Sequence, residues 1–168
     1  MSCQPVAVDR ELPPRRMPAR ILDEIFRHAL DTGPEECCGL VSGDEEQRYR
    51  RIYRCRNEAT ARHLAEPDVY PRDGRRMFVM NELDYQRASE EAAARGERIT
   101  AVYHSHVGSD LVLSSLDQEY ACHPAFPFPD ADQIVIAVRD GRVAGAALFE
   151  RDPGAGFAPG RRLEAEPA

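Results

Sequence analysis

Long apolar runs are missing from this 168-residue chain. Nothing in it approaches the roughly 18 consecutive apolar residues of a membrane-spanning helix, and charged Asp9, Arg10 and Glu11 stand where a secretory signal needs an apolar stretch. A membrane partner is therefore not expected, and the expected location is cytoplasmic. Paired cysteines are missing too. Cys3, Cys37, Cys38, Cys55 and Cys122 form an odd set without C-x-x-C spacing, which excludes a readable disulfide framework or four-thiolate zinc site and leaves reduced, mostly buried thiols. Positive charge is in deficit, with 22 basic against 29 acidic residues and a net charge of −7. Nucleic-acid binding needs clustered cations with little acid nearby, so it is not expected either. Internal repeats and low-complexity tracts are absent. What is present, 42% hydrophobic residues over 168 positions, suffices for the core of one domain.

Residues 1–16 combine Pro5, Pro13 and Pro14 with scattered charge, and residues 151–168 are rich in Gly, Pro, Ala and charge. Both read as flexible segments flanking a domain over 17–150. From Met17 to Leu30 apolar residues recur at helical spacing until Gly33-Pro34 stops the pattern, which predicts an amphipathic helix. Cys37 to Ser42 and Arg48 to Arg56 read as two strands joined by a hairpin. Residues 57–76, with Pro67, Pro71, Gly74 and many charges, read as a long loop or insertion. Met77 to Met80 reads as a strand, Glu82 to Arg95 as a helix ending before Gly96, Ile99 to His106 as a strand, and Ser115 to about Cys122 as a helix. Gln133 to Val138 and Arg142 to Phe149 flank Asp140-Gly141, a pair suited to the positive φ of a type I′ hairpin turn. This order implies an α/β sandwich built on a mixed sheet.

The chemistry concentrates in Val102-Tyr103-His104-Ser105-His106. On a strand, a spacing of two sends both imidazoles to one face, where they can grip one ion. Asp117 follows eleven residues later, after a loop with Gly108 and a helix start that turns the chain back toward the histidines. Two imidazoles and one carboxylate leave a fourth tetrahedral position open, the arrangement of a catalytic zinc rather than a structural one. A base that accepts a proton from the attacking water is still useful there, and Glu35 and Glu36 are both candidates. Ser114 and Asp117 alone also fit an N-cap with an acidic third helical residue, a stabilising device that needs no function.

Taken together these residues resemble the JAMM, or MPN-plus, metalloproteases, which are marked by an early glutamate in an E-x-x-G context and by H-x-H-x7-S-x-x-D later. Glu36-Cys37-Cys38-Gly39, His104, His106, Ser114 and Asp117 supply every one of those positions, and the likeness spans roughly Met17 to Phe149. The resemblance implies a cytidine-deaminase-like α/β sandwich with a mixed, curved sheet flanked by helices. It implies one Zn2+ per chain on His104, His106 and Asp117, Glu36 as general acid and base, and Ser114 as a hydroxyl that steadies the oxyanion. The reaction implied is peptide or isopeptide hydrolysis. The chain looks like the small stand-alone bacterial branch, whose members are associated with ubiquitin-like or sulfur-carrier proteins and remove a C-terminal amino acid such as cysteine, or an extension, after a Gly-Gly end. A homodimer is left open. Two rival readings are a non-catalytic MPN-type scaffold, which typically lacks a ligand, and a RadC-like DNA-associated protein, whose helical front segment is absent here. Many members carry Pro after the second histidine and before the serine, whereas this chain has Val107 and Leu113.

Other residues are read as structural. Cys37 and Cys38 fit core packing, and His28 falls among polar neighbours on a helix surface. His63 and His123 sit in loops. Arg72, Arg75 and Arg76 form a basic cluster that could meet an acidic carrier protein but reads more simply as a solvated loop.

Overall fold

The computed structural model describes residues 3–168. In chain order its elements are β1 (Val6–Ala7), β2 (Arg15–Met17), α1 (Ala19–Thr32), β3 (Cys38–Gly43), β4 (Arg51–Cys55), α2 (Ala59–Ala65), α3 (Glu82–Ala94), β5 (Arg98–Val107), β6 (Val112–Leu113) and α4 (Ser115–Ala121). β7 (Asp132–Arg139), β8 (Arg142–Phe149), β9 (Arg151–Asp152), β10 (Gly156–Phe157) and β11 (Arg161–Ala165) complete the chain. Seven strands form one sheet in the order β2-β11-β8-β7-β5-β3-β4. It is mixed, because β5 runs parallel to β7 and β11 parallel to β2 while the remaining pairs are antiparallel. Register shifts at Val41/Ser42 and Ala137/Val138 mark bulges, which bend strands and increase their twist. The architecture is the expected α/β fold.

Helices cover both faces of this sheet. The buried stripe of α1, namely Ile21, Leu22, Ile25, His28 and Ala29, packs with Ala101 and Tyr103 of β5 and with Ile134 and Ile136 of β7. On the opposite face Ala88 and Ala92 of α3 join Cys38, Leu40, Val102, Phe78 and Met80. β5 is therefore buried on both sides, from Ile99 to His106 without interruption. Its alternation divides the chain's chemistry: Tyr103 points into the α1 core, while His104 and His106 point the other way. Because β5 and β7 are parallel, the chain must cross over between them, and α4 lies in that crossover.

Several sequence expectations need correction. The segment expected to be a loop contains α2, a short helix in which only Ala59 is buried, so no apolar stripe announces it. Met77–Met80 is no strand. Phe78 and Met80 are buried, but the segment's backbone bonds run to the side chain of Asn57 and to Glu58, with one bridge from Met80 to Asn57. The chain ends, expected to be flexible, carry strands: β11 pairs with Ala147 and Leu148 of β8 and with β2, and β1 pairs with β6. His28 is buried rather than on the surface, and its Nδ1 lies 2.7 Å from the Tyr103 hydroxyl. Both residues of the β7–β8 turn have positive φ, 50° at Asp140 and 70° at Gly141, as the Asp-Gly signal predicts. Among the described residues no helix is long and apolar enough to cross a membrane.

Candidate metal centre

Each ligand-type side chain reaches the site by a different local device. His104 and His106 share a face of β5 through the strand's period of two, and their Nε2 atoms lie 3.0 Å apart. Asp117 comes from the first turn of α4, fixed by a capping box. The Ser114 hydroxyl accepts from the Asp117 amide at 3.1 Å, and Asp117 Oδ2 accepts from the Ser114 amide at 2.9 Å. The local stabilising device and the site are thus one structure, which sets Asp117 Oδ1 3.3 Å from His104 Nε2 and Oδ2 3.4 Å from His106 Nε2.

These spacings fit a metal. Ligands about 2.0–2.2 Å from a tetrahedral zinc stand roughly 3.3–3.6 Å apart, close to what the three side chains show. They are the one group of three or more such residues, among those described, whose ligand atoms converge, and all three are buried. The surroundings orient the rings. His106 Nδ1 lies 3.2 Å from the Asp110 carbonyl, a donor role that leaves Nε2 with its lone pair toward the site. His104 is fully buried, its Nδ1 has no partner among the described residues, and its ring stacks on Phe78 with centroids 4.6 Å apart, so its polar contacts with those residues are made through Nε2. Burial lowers the His104 pKa, the direction of the neutral ring that a ligand presents. Burial works against the charge on Asp117, yet the two imidazoles outweigh it and hold its carboxyl well below the usual range.

The two glutamates separate cleanly. Glu35 turns away, its carboxylate accepting from the Thr60 hydroxyl at 2.6 Å. Glu36 lines the same cavity as His106, Ser114 and Asp117. Continuing the register that pairs Cys38 with His104 sets Glu36 across from His106. Burial pushes its pKa up to about 8, against the pull of His106 and Arg72. Two devices bear on Glu36: Asn57, which sequence reasoning missed, and Gly39, which the sequence showed only as the glycine of the E-x-x-G pattern. The Asn57 amide donates at 3.0 Å to both the Glu36 and Met77 carbonyls, while its oxygen accepts from Ala59 and Val79. Gly39 lies under the ring of Tyr103, where a Cβ would come within 2.4 Å of ring and hydroxyl. That contact is the physical reason for the glycine three residues after Glu36.

The loop after His106 also acquires a physical account. Leu113, which pairs with Val6 as the second residue of β6, is fully buried and packs in a cluster with Phe149, Phe157, Val6 and Val8. The leucine just before the capping serine is therefore core. Arg72, Arg75 and Arg76, read from sequence as a solvated loop, line the cavity that holds Glu36. His123 borders a second, apolar cavity shared with Asp117, and His63 bonds the Tyr70 carbonyl from α2.

Fold and site define a small mixed-sheet α/β domain with a buried two-histidine, one-carboxylate ligand set. The chain belongs to the prokaryotic homologues of the JAB domain, a family that matches residues 18–150. A solution structure of a protein from Salinibacter ruber is similar at 25% identity and a TM-score of 0.59, covering 92% of each chain. One from Desulfitobacterium hafniense is similar at 18% identity and a TM-score of 0.59, covering 90% of this chain and 92% of its own, and supports the fold alone. A search of curated proteins finds no match.

Proposed function

We propose that the chain is a zinc-dependent peptidase or isopeptidase that hydrolyses an amide bond after the Gly-Gly end of a ubiquitin-like or sulfur-carrier protein. The observation that carries this reading is the convergence of Glu36, His106, Ser114 and Asp117 on one cavity of about 570 Å³, a size typical of ligand sites. His104, His106 and Asp117 would hold the zinc, which would supply Lewis acidity for the hydrolysis. Glu36 takes a proton from the attacking water and delivers it to the departing nitrogen, while the C–N bond breaks and the carbonyl carbon keeps the water oxygen. Ser114 spends only an acceptor lone pair on its cap, so its O–H remains free to donate to the oxygen that gains charge. A carrier tail ending in glycines suits the site because it can lie close to the ligands without side chains in the way. The scaffold reading is disfavoured because no ligand position is missing.

Glu36→Gln tests the assignment. The variant is expected to keep one zinc per chain by elemental analysis and to lose roughly 10²–10⁴-fold in turnover of a Gly-Gly-extended carrier, the usual worth of a general acid and base. Full activity in that variant would sink the role given to Glu36, and a native chain that binds no zinc would sink the enzyme reading.

A further inference from the structure

Two cavities meet at the metal centre, and their walls differ in kind. One, of about 450 Å³, is apolar, with Tyr70, Met77, Phe78, Tyr85, Tyr120 and Phe126 in its lining. The other is lined by Glu36 and His106 together with Arg72, Arg75 and Arg76. Asp117 and Leu116 line both. A single segment, Tyr70 to Met77, feeds both walls, its apolar members to one cavity and its arginines to the other.

The arginines are uncommitted. Arg48, Arg51, Arg54 and Arg56 each pair with a carboxylate, whereas Arg72, Arg75 and Arg76 are exposed and make no ion pair among the described residues. The nearest acid in sequence, Asp73, is occupied by the Arg75 backbone amide at 3.0 Å. Within the cavity three guanidiniums face two carboxylates, Glu36 and Asp117, so its wall is net positive in a protein of net charge −7. Guanidinium groups stay charged at any working pH and match carboxylate geometry with paired N–H donors.

Resting on the peptidase reading above, we infer that Arg72, Arg75 and Arg76 bind the free α-carboxylate of a single C-terminal residue on the amine side of the scissile bond, with the carrier's tail on the apolar side. Covalent geometry supports this. An α-carboxylate lies within about 4 Å of its own residue's nitrogen, so its binding groups must share a cavity with the ligands that hold the reacting carbonyl. These arginines do so. The leaving lysine of an isopeptide presents no such carboxylate beside the bond, so the cleft is built for C-terminal trimming. Hydrolysis needs only water: its oxygen goes to the carbonyl carbon, its proton to the leaving amine, and the freed amino acid departs with its carboxylate unchanged.

The test compares a Gly-Gly-ending ubiquitin-fold carrier extended by one alanine as the free acid with the same protein ending in the alanine amide, both offered to the zinc-loaded chain and read by product mass. The acid is expected to be cut with at least tenfold higher kcat/KM. In an Arg72→Gln, Arg75→Gln, Arg76→Gln variant the rate on the acid is expected to fall to that on the amide. Calorimetry on zinc-loaded Glu36→Gln gives a readout without turnover, with the acid bound at least tenfold tighter than the amide. Equal cutting of acid and amide by the native chain, or equal binding by Glu36→Gln, overturns the carboxylate site and leaves the peptidase reading standing. Cutting of neither substrate overturns both.

Discussion

At the residue scale, Gly39 and His28 show how far the site's geometry depends on side chains that never touch it. Tyr103 alternates with the two histidines on β5, and its ring crosses Gly39 on one side and meets His28 on the other. Gly39→Ala would drive a methyl group into that ring, and overpacking of this kind costs about 1–3 kcal/mol. A urea titration should show the loss, with Glu36 displaced because it lies three residues upstream on the same chain segment. His28 sets a pH dependence. Burial lowers its folded-state pKa from 6.5 to about 4, so the unfolded chain takes up the proton first. The stability of the neutral ring is whole above pH 6.5 and is lost as pH falls toward 4, at up to about 1.4 kcal/mol per pH unit. Urea midpoints measured across that window should fall steeply for the native chain and less so for His28→Gln, which keeps a partner for the Tyr103 hydroxyl.

At the scale of elements, the segment from Asn57 to Val79 behaves as an arm tied to the cleft at several points: the Asn57 side chain, the Gly74 carbonyl, which accepts from the Glu36 amide at 2.7 Å, and the Thr60 hydroxyl, which donates to Glu35. Asn57 makes four hydrogen bonds, one of them to the Glu36 carbonyl and one from the Val79 amide. Asn57→Ala is expected to leave zinc content intact, to speed hydrogen exchange at Val79, and to cut turnover about tenfold by loosening Glu36 and the arginine wall together. Unchanged exchange at Val79 would show that the arm is held by other contacts. This arm is also where sequence reading fell short. β5 was legible because period-two alternation put two histidines on one face, and α4 because a capping serine and acid announce a helix start. The β7–β8 hairpin was legible because Asp-Gly tolerates positive φ. None of those signals exists between residues 57 and 80. α2 buries a single alanine, and the apolar run Met77–Met80 satisfies its backbone through an asparagine side chain rather than a ladder. The arginines lie about 30 positions before His104, and only the fold brings them to it.

At the scale of the whole molecule, stability and metal binding are coupled. Without an ion, Asp117 and two buried imidazoles must satisfy one another, so a metal that binds only the folded chain stabilises it. Zinc at a hundredfold excess over its Kd contributes about 2.7 kcal/mol, which for a domain of this size raises Tm by roughly 5–10 °C. Scanning calorimetry of the stripped protein with and without zinc should show that rise, and Asp117→Asn should abolish it. A stripped protein whose Tm ignores zinc would contradict the site. The two ends of the chain have a separate consequence for anyone trimming the protein. β2 and β11 lie outside the residues the family shares, yet β11 covers the outer edge of β8 at Ala147 and Leu148. A fragment cut to residues 18–150 would bare that edge, turning unsatisfied backbone N–H and C=O groups into a template on which copies can stack and aggregate.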